Sequence, residues 1–72
     1  MSLDEEIRLN GGKLYVSSNP DSYEYRSLKN LKELIIENGV TEIGEGAFSG
    51  CKELERIEFP ESLKVIGKDA FS

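Results

Sequence analysis

Apolar side chains recur along this chain at a fixed interval of 23 residues: Ile66 follows Ile43, Ala70 follows Ala47 and Phe71 follows Phe48, with Gly67 after Gly44 and Ser72 after Ser49. One interval further back the register persists where identity fades. Leu54 falls on Leu31, Ile57 on Leu34, Phe59 on Ile36, Cys51 on Leu28 and Leu63 on Val40. Tyr25 precedes Phe48 by the same step, so one aromatic slot is filled once by Tyr and twice by Phe. A period of this length is that of a solenoid, in which each unit buries its apolar face only against its neighbours.

Within a repeat the pattern Leu28-x-x-Leu31-x-x-Leu34-x-Ile36 returns as Cys51-x-x-Leu54-x-x-Ile57-x-Phe59. Apolar residues two apart, Leu34 with Ile36 and Ile57 with Phe59, lie on one side of a short strand. These strands are predicted to stack in parallel. Each leads to a turn, Glu37-Asn38-Gly39 or Pro60-Glu61-Ser62, and then to a second inward stretch, Val40-x-x-Ile43 or Leu63-x-x-Ile66. The coil then bends at Gly44 or Gly67 and closes with Ala-Phe in one short helical turn. The segment from Leu28 to Leu34 also fits an amphipathic helix by spacing. A long helix is rejected, because the equivalent stretch runs into Pro60.

Ahead of the repeats, Ile7–Leu9 and Leu14–Val16 are apolar runs separated by Asn10-Gly11-Gly12-Lys13, which reads as a β-hairpin because Asn-Gly supplies positive φ angles. Ser17-Ser18-Asn19-Pro20-Asp21-Ser22 is a loop of turn formers. The expected organisation is therefore a disordered or vector-derived leader over 1–6, a hairpin and loop cap over 7–24, and a solenoid over 25–72 cut short in its last repeat. Met1-Ser2-Leu3 has the look of an expression-vector remnant, and Ser72 stops in mid-repeat.

Seventy-two residues allow one small domain with a thin core. A net charge of −5 argues against nucleic acid and anionic membrane surfaces. One cysteine forms no internal disulfide, and the lack of histidine removes the usual zinc sites and histidine-based catalysis. No stretch is long enough for a membrane span, and the N-terminus has no secretory signal pattern.

Read from Ile43 to Pro60, the order Ile-Gly-x-x-Ala-Phe-x-x-Cys-x-x-Leu-x-x-Ile-x-Phe-Pro closely resembles the BspA-like leucine-rich repeat family. Ile66-Gly67-Lys68-Asp69-Ala70-Phe71 begins another copy, and the resemblance covers about Tyr25 to Ser72. Leu28 in the cysteine slot, Glu24 in the alanine slot and Glu37 in the proline slot depart from the pattern, as in a degenerate first repeat. The resemblance implies a mainly β solenoid with little helix, built of parallel 23-residue coils and used for binding. It also implies bacterial surface proteins and adhesins as the setting, and brings no catalytic residues, cofactor or metal.

Cys51 reads as a small buried hydrophobe, since a reactive thiol needs a cationic neighbour and a metal ligand needs companions. The periodicity of Tyr25, Phe48 and Phe71 marks a ring stack in the core. Gly44 and Gly67 lack a phosphate-loop fingerprint and read as turns with positive φ. Asn19, Asp21 and Glu24 alternate oxygen ligands but lack the glycine and terminal glutamate of a calcium loop. The outward strand positions are Glu33, Ile35 and Glu37 in one coil and Arg56, Glu58 and Pro60 in the next. Of these, Glu33, Ile35, Glu37, Arg56 and Glu58 form the candidate partner-binding strip, with Glu33 beside Arg56; Glu45 beside Lys68 repeats that arrangement elsewhere.

The expected function is a non-catalytic binding or scaffold module, a piece of a longer cell-surface protein that holds a protein or glycan. The alternatives are an accessory domain of a secreted enzyme and an intracellular interaction scaffold. The last coil leaves Ile57, Phe59, Ile66 and Phe71 uncovered, which predicts self-association as a two-fold dimer joining C-terminal coils.

Overall fold

Residues 1–72 are all described by the computed structural model, in the order α1 (Leu3–Leu9), β1 (Lys13–Val16), β2 (Glu33–Ile36), β3 (Glu42–Ile43), β4 (Arg56–Glu58) and β5 (Val65–Ile66). Strands β1, β2 and β4 form one sheet in that spatial order, β3 pairs with β5 in a second, and every pairing is parallel. Glu33 lies opposite Arg56, Leu34 opposite Ile57 and Ile35 opposite Glu58, while Glu42 and Ile43 face Val65 and Ile66. Each of these partners is one step of the apolar pattern away. Strand β2 alternates as that pattern requires, with Leu34 and Ile36 buried and Glu33 and Ile35 only partly covered.

The core is a single cluster between the two sheets, in which Leu31, Leu34, Val40, Ile43 and Ala47 are wholly shut off from solvent. Phe48 stands at its centre, 1% exposed, stacked between the rings of Tyr25 at 5.2 Å and Phe71 at 5.4 Å. Rings in such offset stacks attract through their quadrupoles in addition to burying area.

The segment around Ala47 and Phe48 is a chain of tight turns instead of the expected helical turn. The amides of Ala47, Ser49 and Cys51 reach back three residues to Gly44, Gly46 and Phe48, and the amides between them reach across to the next segment. Gly46, Phe48 and Gly50 donate to the carbonyls of Lys68, Ala70 and Ser72, just as Tyr23, Tyr25 and Ser27 donate to Glu45, Ala47 and Ser49. Alternate amides thus close turns and stack them. A helix would direct all its amides along its own axis and leave neighbouring segments unlinked.

Gly44 and Gly67 are needed for closeness, and neither has positive φ, contrary to expectation. A Cβ on Gly44 would lie 2.6 Å from the Ser22 nitrogen, and one on Gly67 2.6 Å from the Glu45 nitrogen. The positive-φ residues that recur in register with the repeat are instead Tyr23, Gly46 and Asp69, and Ser27 with Gly50, while Gly39 is left-handed without a counterpart.

The N-terminal hairpin does not form, and the leader is not unstructured. Leu3–Leu9 is a helix whose N-cap Ser2 accepts the Glu5 amide at 3.2 Å, with Asp4, Glu5 and Glu6 in the first turn and Arg8 in the last. Acids at the start and a base at the end suit the helix dipole. Gly11 and Gly12, both at positive φ, end it: their amides return to the carbonyls of Arg8 and Ile7. That is a Schellman cap, which uses the same glycine conformations as a hairpin turn. The helix buries Ile7 in the core, and Asp4 accepts the Asn30 amide at 2.9 Å. Strand β1 consequently runs parallel to β2, with Leu14 opposite Leu34 and Val16 opposite Ile36.

Candidate binding face

Because β1, β2 and β4 are in register, their outward side chains form rows across the sheet. One row is Lys13, Glu33 and Arg56; the next is Tyr15, Ile35 and Glu58. Glu37 continues beyond β2, its amide held by the Val16 carbonyl at 2.9 Å. The five residues of the sequence-derived strip therefore share one face. Lys13 and Tyr15 join them, which the sequence reading missed because β1 lies 20 residues before β2 instead of a full period. The alternation of Leu14 and Val16 with Lys13 and Tyr15 was the available signal.

Charges alternate along the first row. The Arg56 Nε lies 4.0 Å from a Glu33 carboxylate oxygen, and with Arg56 largely exposed such a pair contributes about 0 to 1 kcal/mol. Glu45 and Lys68 form no such pair: the Glu45 carboxylate instead accepts the Tyr23 hydroxyl at 3.3 Å, and Lys68 is engaged through its backbone carbonyl. The second row is apolar at its centre, with Tyr15 55% exposed beside Ile35. At the C-terminal ends of β2 and β4 lies an open depression of about 820 Å³. Glu37, Glu58 and Glu61 line it together with Ile35, Phe59 and Pro60, and no lysine or arginine does. This end of the face is negative.

The other candidates resolve as structure. Cys51 is half-buried, its thiol donating to the Tyr25 carbonyl at 3.3 Å, and burial pushes its pKa above the ordinary 9.0. A thiol so placed is a poor nucleophile at neutral pH. The oxygens considered for calcium serve backbone amides, Asn19 Oδ1 holding Thr41 and Glu24 Oε1 holding Asp21. No group of three or more acids, cysteines or histidines is placed to hold a metal ion. No helix is long and apolar enough to cross a membrane.

The sequence model of a BspA type leucine-rich repeat region, six copies long, matches residues 19–72. No curated protein and no solved structure matches the chain. The matched segment makes up three quarters of the sequence and contains β2 to β5, the stacked turns and the ring stack. On that match, and on the Ile43-to-Pro60 motif whose Ile43, Ala47 and Phe48 lie in the core with Cys51, Leu54 and Ile57 packed against it, the chain belongs to the BspA-type leucine-rich repeat family, a family of repeat modules for protein interaction.

Proposed function

We propose that this chain is a stretch of parallel solenoid with 23-residue coils that works as a non-catalytic, protein-binding module of a larger cell-surface adhesion protein. The observation that carries the reading is the in-register row Tyr15, Ile35 and Glu58 on an uncovered sheet face. Exposed aromatic and aliphatic side chains at the centre of a face are the usual anchors of an interface, and charged residues at the rim set its selectivity. Carboxylates of Glu37, Glu58 and Glu61 at one end of the face favour a partner segment that presents lysine or arginine. Together with the net charge of −5, they disfavour an acidic glycan or nucleic acid. Surface location and membership of a longer protein come from the family's usual setting.

The test uses the fluorescently labelled chain on an array of purified extracellular-matrix and cell-surface proteins. Saturable binding is expected, weakened by added salt and, for basic targets, by Glu37→Lys, and reduced more than tenfold by the double substitution Tyr15→Ala with Ile35→Ala while the melting temperature holds. Binding indifferent to these three substitutions would remove the face from the proposal.

A further inference from the structure

Asn10 and Asn38 both precede a glycine, and both are exposed. That order of residues carries a chemistry of its own. The backbone nitrogen of the following residue can attack the side-chain amide carbon, and glycine, with no Cβ, hinders the approach least. At Asn38 the way is open: Gly39 is exposed at φ +104°, and an added Cβ there would meet nothing within 4 Å. The turn itself closes only through a long bond, 3.3 Å from the Val40 amide to the Glu37 carbonyl. One hydroxyl supplies the remaining restraint. Ser62, one period after Gly39, accepts the Gly39 amide at 3.0 Å and donates to the Val40 carbonyl at 2.8 Å. Asn10 is held more firmly. It lies in the helix cap, where the Gly11 and Gly12 amides both return to α1 carbonyls, and freeing Gly11 unwinds the turn that places the buried Ile7. Asn19 precedes Pro20, whose nitrogen has no hydrogen to lose, and Asn30 precedes the wholly buried Leu31.

We propose that Asn38 is a site of spontaneous deamidation, latched by the Ser62 hydroxyl, through which the chain slowly acquires a further carboxylate at the acidic end of its binding face. The Gly39 amide must first leave Ser62. Its nitrogen then loses the proton and bonds to Asn38 Cγ, the Cγ–Nδ2 bond breaks, and the departing nitrogen takes up a proton and leaves as ammonia. Water opens the resulting succinimide ring. Opening at Cγ gives an aspartate at this position, and opening at the backbone carbonyl gives an isoaspartate whose chain runs through Cγ. Nothing is oxidised or reduced: one water enters and one ammonia leaves. Both products carry a carboxylate where a neutral amide stood. Asn38 lines the depression that Glu37, Glu58 and Glu61 make negative, and no lysine or arginine there offsets the added charge. For a partner bearing lysine or arginine, which rests on the function proposed above, attraction to this end of the face rises on conversion. The groups involved belong to β2, β4 and the turns that follow them, so the latch is independent of what adjoins this stretch at either end.

Incubation of the whole chain at mildly alkaline pH and body temperature, followed by peptide mapping in a mass spectrometer, reads the proposal. Asn38 is expected to convert before Asn10, to both aspartate and isoaspartate, while Asn19 and Asn30 stay intact. Ser62→Ala is expected to speed conversion at Asn38 about fivefold, the effect of one lost hydrogen bond, and to leave the rate at Asn10 unchanged. Ser62→Thr keeps a hydroxyl and should keep the original rate. Circular dichroism melts establish that both variants are folded. Conversion of Asn10 ahead of Asn38 overturns the proposal, as does a folded Ser62→Ala chain that converts no faster than the original, or a Ser62→Thr chain that converts as fast as Ser62→Ala. The consequence for the face is read separately with a fluorescent oligolysine peptide, which Asn38→Asp is expected to bind about twofold to fivefold more tightly than the original chain at low salt. Equal affinities overturn the role at the face. Failure of either protein to bind the peptide counts against the basic partner alone, because the mass spectrum is read without a ligand.

Discussion

The Asn19 side-chain oxygen accepts the backbone amide of Thr41 at 2.9 Å and that of Glu42 at 3.3 Å. In the segment that pairs with β3, the amides of Lys64 and Val65 both donate to the Thr41 carbonyl, at 2.8 and 3.2 Å. The carboxamide of Asn19 thus stands in for the strand carbonyl that would precede β3. Its amide end donates to Thr41 Oγ1 at 3.2 Å, which fixes which atom is the acceptor. Pro20 follows, buried, without an N–H to offer a ladder, but its carbonyl receives the Gly44 amide at 2.9 Å.

Asn19→Ala is expected to destabilise the chain by about 1 to 2 kcal/mol, since two amides lose their acceptor at a site water partly reaches. Asn19→Asp keeps the acceptor and should cost less than about half as much. Urea denaturation of the three proteins orders them; equal midpoints would mean that water replaces the side chain without loss.

Gly44→Ala should be far more damaging, on the order of 3 kcal/mol or more, because the added methyl meets the backbone of Asp21 and Ser22 within 2.9 Å and backbone cannot swing aside. Gly67→Ala meets Gly44 and Glu45 in the same way. Gly11→Ala provides the contrast: open space surrounds it, and its cost is the strain of a positive φ, roughly 1 to 2 kcal/mol. Guanidinium melts in which Gly11→Ala proves the worse substitution would show that the spacing between neighbouring segments adapts.

Phe48→Ala should remove about 3 to 5 kcal/mol, a large part of the stability of a 72-residue domain, and leave an unfolded or molten chain. The ring touches both aromatic neighbours, so its loss separates Tyr25 from Phe71 as well as emptying a core site. Phe71→Ala, at the half-covered end of the stack, should cost less. A cooperative thermal transition retained near the original temperature by Phe48→Ala would contradict the central place given to this ring.

The pairing of Leu34 with Ile57 and the stacking of Phe48 on Phe71 were legible because side chains in equivalent environments repeat at equal intervals, which is what a shared core between neighbouring segments imposes. The N-terminal third was not, for two physical reasons. Asn10-Gly11-Gly12 supplies positive φ equally well to a hairpin and to a helix C-cap, and Ser2-x-x-Glu5, the sign that decides for a helix, lay in residues set aside as a leader. Strand β1 pairs out of period with β2, so no repeat pointed to Tyr15. The candidate face was correspondingly half legible: Glu33 beside Arg56 follows from the period, while Lys13 and Tyr15 follow only from the fold.

Tyr25 gives the ring stack a pH dependence. Burial first, and then the negative charge of Glu24, raise its phenol above the ordinary 10.0, so the unfolded chain releases this proton at lower pH than the folded one. The contribution of the neutral phenol is therefore complete below pH 10 and is lost as pH climbs through the folded-state value. Tyr25→Phe places in the slot the ring that Phe48 and Phe71 already supply, and should change stability by less than about 1 kcal/mol at pH 7. Above pH 10 the variant should become progressively more stable than the original chain. Cys51, also raised by burial, titrates in both proteins, so it cancels in the difference between their urea midpoints. Midpoints measured from pH 8 to pH 11.5 should diverge only at the alkaline end; two parallel curves would mean that the Tyr25 hydroxyl meets solvent in the folded chain as freely as in the unfolded one.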